Sequence, residues 1–134
     1  MGTSTDAILC YGYSITSDPP WMEDDDQDIE KWWQEANGYY ADYSGDDKEK
    51  HRKTYEAQCA WMKAHPMPTI VWHCSYSEPM FIAAAEESVV VARRGWPEVV
   101  TTQAAWDVSE IKKWLDDYGI EYEGPNWYLV SWWG

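Results

Sequence analysis

The apolar residues change their spacing at Thr69, and this change constrains the fold more than any other feature of the sequence. Downstream of it Ile70, Trp72 and Cys74 alternate with Val71, His73 and Ser75, the two-residue period of a strand. Ser77-Glu78-Pro79 then reads as a turn, and Met80 to Ala85 as the returning strand of a hairpin. The β-branched run within Ser88 to Arg94 predicts another strand, in preference to a helix over residues 82–93 that the preceding alanines would allow. Gly95 and Pro97 end it.

Upstream of Thr69 the period is helical. Ile29, Trp32, Trp33, Ala36 and Tyr40 fall at i, i+3, i+4, i+7 and i+11, the stripe of an amphipathic helix. Asp24, Asp25 and Asp26 precede its first turn, where carboxylates accept from free N–H groups and complement the dipole. Asn37-Gly38 offers a left-handed stop, which places Tyr39, Tyr40 and Tyr43 just beyond the helix. A second helix is expected from Asp46 to Ala64, closed by Pro66 and Pro68, with Tyr55, Cys59 and Met62 as a narrow apolar stripe.

Three further segments complete the plan. Ala7 to Ile15 reads as a strand buried on both faces, with Gly12 marking a bulge or a close approach. Asp107 to Gly119 is a helix: Asp107 and Glu110 suit an N-cap with a reciprocal acid. Ile111, Trp114, Leu115 and Tyr118 form its apolar face, and Gly119 with Ile120 a Schellman ending. Gly124-Pro125 then turns the chain into a final strand, Asn126 to Trp133, which needs sheet pairing to stay ordered. The order strand, helix, helix, hairpin, strand, helix, strand predicts an α+β fold. It would have a largely antiparallel sheet of about five strands, with two to three helices packed mainly on one face, in a single domain spanning 1–134.

The side chains limit what such a domain can bind. Eleven Trp and ten Tyr stand against one Phe, so nearly every ring carries an N–H or O–H that suits a half-buried or interfacial position. The formal charge is −14 and the sequence pI near 4.3, which opposes direct binding to nucleic acid or anionic lipid and favours a basic partner. Residues 21–50 hold eleven Asp or Glu and three Lys. Lys48, Lys50, His51, Arg52 and Lys53 follow, and their simplest use is to screen that acidic segment. Three unpaired-looking cysteines, Cys10, Cys59 and Cys74, with no signal peptide, predict a reducing, cytoplasmic setting. The longest apolar run is too short to cross a bilayer.

Motifs for chemistry are sparse. His73-Cys74 is the adjacent pair most suggestive of a nucleophile and base, yet neighbours on a strand point to opposite faces. Cys59 and His65 lack the paired spacing of a zinc site, and the acids from Asp24 to Glu30 lack the glycine of a calcium loop. No phosphate-cradling loop, nucleophile elbow or dinucleotide fingerprint occurs, and no cofactor or metal is implied. Arg93-Arg94-Gly95-Trp96 could hold an anion at a strand end.

The segments STDAILCYGYSI, WHCSYSEPMFIAAAEESVVVARRGWPEVV and NWYLVSWWG resemble small acidic proteins of bacteriophages and prophages, which share an STDAIL-x-YG start and a Trp-rich final strand. That resemblance implies a setting and not a residue role. Accessory phage proteins of this size bind and disable host proteins, and some acidic ones do so by imitating the charge pattern of DNA.

Two readings follow. In the first, the protein is a non-enzymatic binder of a host factor with a basic surface, such as a nucleic-acid-binding or defence protein, in the host cytoplasm. A CRISPR effector is one such target. Glu23, Asp28, Glu30, Glu35, Asp42, Asp46 and Asp47 would supply charge, and Trp21 a dry anchor. In the second, a small enzyme or ligand-binding domain has a pocket around His73, Arg93 and Arg94.

Overall fold

A computed structural model describes residues 5–23, 27–93, 96–100, 102 and 106–133. These form strands β1 (Thr5–Ile15), β2 (Thr69–Ser75), β3 (Pro79–Ala84), β4 (Val90–Arg93) and β5 (Tyr122–Trp133), and helices α1 (Ile29–Ala36), α2 (Lys48–Ala64) and α3 (Ser109–Asp117). The fold is α+β with a mostly antiparallel five-stranded sheet. The chain divides into two compact units. Residues 1–19 with 68–134 contain the sheet and α3; residues 20–67 contain α1 and α2.

In the sheet unit β1 is the strand on which the others are hung. Along one edge it pairs antiparallel with β5, from Thr5 opposite Trp133 to Ile15 opposite Tyr122. Along the other it pairs first with β4, Asp6 opposite Arg93, and then with β3, Gly12 opposite Ala84. Ser88, in the 3-10 turn Glu86–Ser88 between those two partners, keeps the edge satisfied. Its hydroxyl accepts from the Tyr11 N–H at 2.9 Å and donates to the Ala85 carbonyl at 2.6 Å. The predicted strand over Ser88 to Arg94 therefore begins two residues later, at Val90, and Arg94 lies outside the described residues.

The pairings close into a ring. β2 pairs antiparallel with β3, and at its far end parallel with β5 through Cys74 opposite Trp132 and Ser75 opposite Trp133. Among the described strands this leaves β4, paired with β1 alone, at an edge of the sheet. Cys74 has φ 75, a left-handed value uncommon for a residue with a Cβ, and it stands where β2 has both Pro79 of β3 and Trp132 of β5 as partners. Gly12 stands at the other joint. An added Cβ there would lie 2.1 Å from the Ala83 carbonyl oxygen and 2.7 Å from the Ala84 Cα, so only glycine lets β1 and β3 meet.

Gly124-Pro125, expected as a turn, lies within β5. Gly12 is opposite Asn126 and Ser14 opposite Glu123, so Tyr13 faces two residues, a bulge that accommodates a proline without a ladder N–H. Ile8, Cys10, Val71, Ile82 and Ala84 form one core cluster, with Val91, Val130 and Trp132 packed on it. Tyr11, Tyr13, Ile15, Phe81 and Ala83, at the alternate positions, are buried too. As its sequence predicts, β1 is covered on both faces along its second half.

Helix α3 ends as expected. Ile120 N–H reaches the Leu115 carbonyl at 2.9 Å and Gly119 N–H the Asp116 carbonyl at 3.2 Å, with Gly119 at φ 67 and both Leu115 and Ile120 buried. Its start is shifted. Asp107 accepts from the Ser109 N–H and hydroxyl, which leaves Val108 as the N-cap residue without a side-chain bond.

In residues 20–67 the two helices are joined by polar contacts. Trp33 Nε1 donates to the His65 carbonyl at 2.8 Å, Tyr39 stacks on Trp61 at 5.0 Å, and Trp61 on His65 at 4.2 Å. The predicted stripe of α2 is not its inward face. Of that stripe Tyr55 is 62 % exposed and Cys59 exposed, while Met62 is half-buried along with His51, Thr54, Gln58 and Trp61. Contact through hydroxyl and amide groups, such as Thr54 Oγ1 to the Asp42 carbonyl, turns that face inward instead. No helix among the described residues is long and apolar enough to cross a membrane.

Candidate functional site

The sequence places three tyrosines immediately after a short helix, and the fold turns this into a concave surface. Asp28 caps α1 by accepting from the Lys31 N–H at 3.1 Å. The cap lies later than Asp24 to Asp26, which are outside the described residues. The helix stops at Asn37, whose side-chain amide donates to the Trp33 carbonyl, and Gly38 at φ 75 reverses the chain so that residues 39–43 run back beside it.

The result is a cleft of about 280 Å³. One side is α1, through Asp28, Glu30, Lys31, Gln34 and Glu35; the other is Tyr39, Tyr40, Ala41 and Tyr43, with Gln58 reaching in from α2. Three carboxylates against one ammonium leave the lining negative. The side-chain carboxylates of Glu30 and Glu35 have no ion pair or hydrogen bond among the described residues.

A chain of hydrogen bonds crosses the cleft. The Tyr43 hydroxyl donates to Gln58 Oε1, and Gln58 Nε2 donates to Gln34 Oε1 at 2.9 Å. There it stops: Gln34 is 4 % exposed and its Nε2 has no partner among the described residues. A buried amide donor without an acceptor is costly and unusual. Neither Gln34 nor Gln58 stands out in the sequence. The available signal is that Gln34 follows Trp33 directly on the buried edge of the stripe, one helical turn after Glu30.

The other predicted acids have structural work. Asp42 accepts from Ser44 N–H and from Lys50 Nζ at 3.2 Å, and these contacts, Ser44 first, hold its carboxyl at about 2. Lys50 thus partly fulfils the screening role expected of the basic cluster. Asp47 caps α2 through the Glu49 and Lys50 N–H groups. Arg52 pairs within its own helix, with Glu49 and with Glu56, the latter at 2.7 Å, and hydrogen bonding to Arg52 lowers the Glu49 carboxyl. Glu23 and Asp46 are exposed. Trp21 is 0 % exposed and packs on Trp32 at 5.4 Å, so it has no surface to offer a partner as an anchor.

Charge is also more evenly spread than residues 21–50 suggest. Residues 20–67 carry twelve acids and six Lys or Arg, and the remainder twelve acids and four.

Of the alternative pocket's predicted parts, His73 and Arg93 lie on strands that are not neighbours in the sheet, and Arg94 is outside the described residues. His73 on β2 is 9 % exposed, its Nε2 has no partner among the described residues, and burial lowers its basicity. Arg93 is exposed on β4, with β1 and β5 between it and β2 in the strand order. Cys10 is buried, which pushes its thiol up to about 11 and keeps it protonated and inert. Among the described residues no three His, Cys, Asp or Glu gather to hold a metal ion. Comparison with protein-family models, with curated proteins and with solved structures finds no match, so the function has to be read from these residues.

Proposed function

We propose that this chain acts by binding and not by catalysis, as a phage-type accessory protein that occupies a basic, nucleic-acid-binding surface of a host protein in the host cytoplasm. The observation that carries this reading is the pair Glu30 and Glu35. Both line a cleft beside three tyrosines, and neither is spent on a cap or an internal ion pair. Carboxylates left unpaired on a rim favour encounter with a cationic partner and make it sensitive to salt, while Tyr rings add contact area at low entropic cost. The total charge of −14 adds steering of the same sign.

The test is retention from bacterial lysate on immobilised wild-type protein and on a Glu23→Lys/Glu30→Lys/Glu35→Lys/Asp46→Lys variant. The expected result is a protein held by the wild type alone, released at about 0.5 M salt, where screening is nearly complete beyond contact distance, and displaced by competing DNA. Retention that is equal on both columns, or indifferent to salt, refutes the proposal.

A further inference from the structure

We infer that the cleft between α1 and residues 39–43 receives a single arginine side chain presented on a peptide backbone. This rests on the binding reading above and names the group recognised. A volume of about 280 Å³ lies at the lower limit for small-molecule sites, so it suits one long side chain and not a nucleotide-sized cofactor. The lining supplies what a guanidinium needs: carboxylates at Glu30 and Glu35 for its forked donors, and tyrosine rings for its flat face. Tyr40, 72 % exposed, has a ring free for that contact.

The unpaired amide of Gln34 supplies the second, independent sign. Gln34 is a lining residue, its Nε2 is a buried donor with no partner among the described residues at the end of the Tyr43–Gln58–Gln34 chain, and the peptide carbonyl beside an arginine is the acceptor proposed for it. Turning both amides exchanges the vacant donor for a vacant acceptor, which a guanidinium N–H would fill. In either arrangement one polar atom of Gln34 has no partner among the described residues.

The experiment is a titration of the full chain, followed by NMR of the Gln side-chain amides and Tyr rings. The probes are N-acetyl-arginine N-methylamide and its citrulline and lysine counterparts. The expected result is saturable movement of the Gln34, Gln58 and Tyr signals with a roughly millimolar dissociation constant for capped arginine, as befits so small a ligand. Citrulline, equal in shape but uncharged, should bind about tenfold more weakly or less. Glu30→Gln with Glu35→Gln, which removes no cap and no ion pair among the described residues, should lower arginine affinity about tenfold with thermal unfolding little changed. No saturable movement, equal binding of citrulline or lysine, or no effect of the double substitution would overturn the assignment. If arginine fails to bind but a salt-sensitive, DNA-displaced protein is still retained, the cleft assignment falls alone. If arginine binds and no protein is retained, the cleft assignment stands and the host-protein reading falls.

Discussion

Gly12→Ala separates steric closure of the sheet from ordinary glycine flexibility. The new Cβ would lie 2.1 Å from the Ala83 carbonyl oxygen. Ordinary contact begins near 3.4 Å, so β1 and β3 must part by about 1.3 Å, and the atoms in the way are backbone, which cannot swing aside. Separation on that scale breaks the pairing of Gly12, Tyr13 and Ser14 with Ala84, Ala83 and Ile82, and lengthens the neighbouring Ala85 N–H to Tyr11 carbonyl bond of 2.9 Å. Two or three hydrogen bonds at about 1 kcal/mol each, with overpacking of about 1–3 kcal/mol, give a loss of about 3 kcal/mol or more. Against a typical total of about 5–15 kcal/mol this is a large share. Urea unfolding followed by tryptophan fluorescence should show the midpoint falling by about 1.5 M for a slope near 2 kcal/mol per M. Gly119→Ala in the same unit is the control. It has a positive φ of 67 but no atom within 4 Å of the added Cβ, so it should cost only about 1–2 kcal/mol. A Gly12→Ala loss below about 1 kcal/mol, or no larger than that of Gly119→Ala, would refute the closure of β1 on β3.

Two further outcomes can be read without a ligand. Burial depresses the His73 pKa below 6.5 in the folded state, so as pH falls through 6.5 the unfolded chain gains a proton that the folded one refuses. Stability should therefore decline from pH 7.5 to 5.5 by at most about 1.4 kcal/mol per pH unit, and His73→Gln should flatten that slope in urea unfolding; an unchanged slope would exclude His73 as its source. A thiol reagent at pH 8 should label Cys59 first, because it is exposed on α2, and reach buried Cys10 only after denaturation. A fast phase that survives Cys59→Ser would contradict this assignment.

Local elements were legible because each is specified by neighbours in sequence. The Schellman ending at Gly119 and Ile120, the hairpin from Thr69 to Ala84, and the α1 stop at Asn37-Gly38 all follow from a few residues whose backbone preferences agree. Closure of the sheet was not legible. Two-residue alternation says which face a side chain takes but not which strand lies beside it, and the β1–β3 joint depends on a contact between residues about seventy positions apart. Helix α2 formed where expected, but two of its three predicted stripe residues face outward for another reason. Apolar periodicity locates a buried face only when burial is the contact, and here Thr54, Gln58 and Trp61 meet their neighbours through hydrogen bonds and ring stacking while Tyr55 and Cys59 face outward.

The same distinction decides what the acidic residues mean. Carboxylates at a helix start, in a turn or one turn from an arginine satisfy local N–H groups and charges, and Asp28, Asp47, Asp42, Glu49 and Glu56 are of this kind. These five carboxylates serve local structure, and so say nothing of a partner. Glu30 and Glu35 differ because they sit past the N-cap on α1, beyond the first free N–H groups in the case of Glu35, and gain no local donor. Asp28 serves both purposes, since it caps the helix and lines the cleft. Substituting Asp28 would therefore confound folding with binding, whereas Glu30 and Glu35 can be neutralised without cost to a cap. Counting acids cannot separate these roles; counting the donors that each acid already holds can, and among the acids that line the cleft it leaves two, Glu30 and Glu35, beside a glutamine amide with no partner among the described residues.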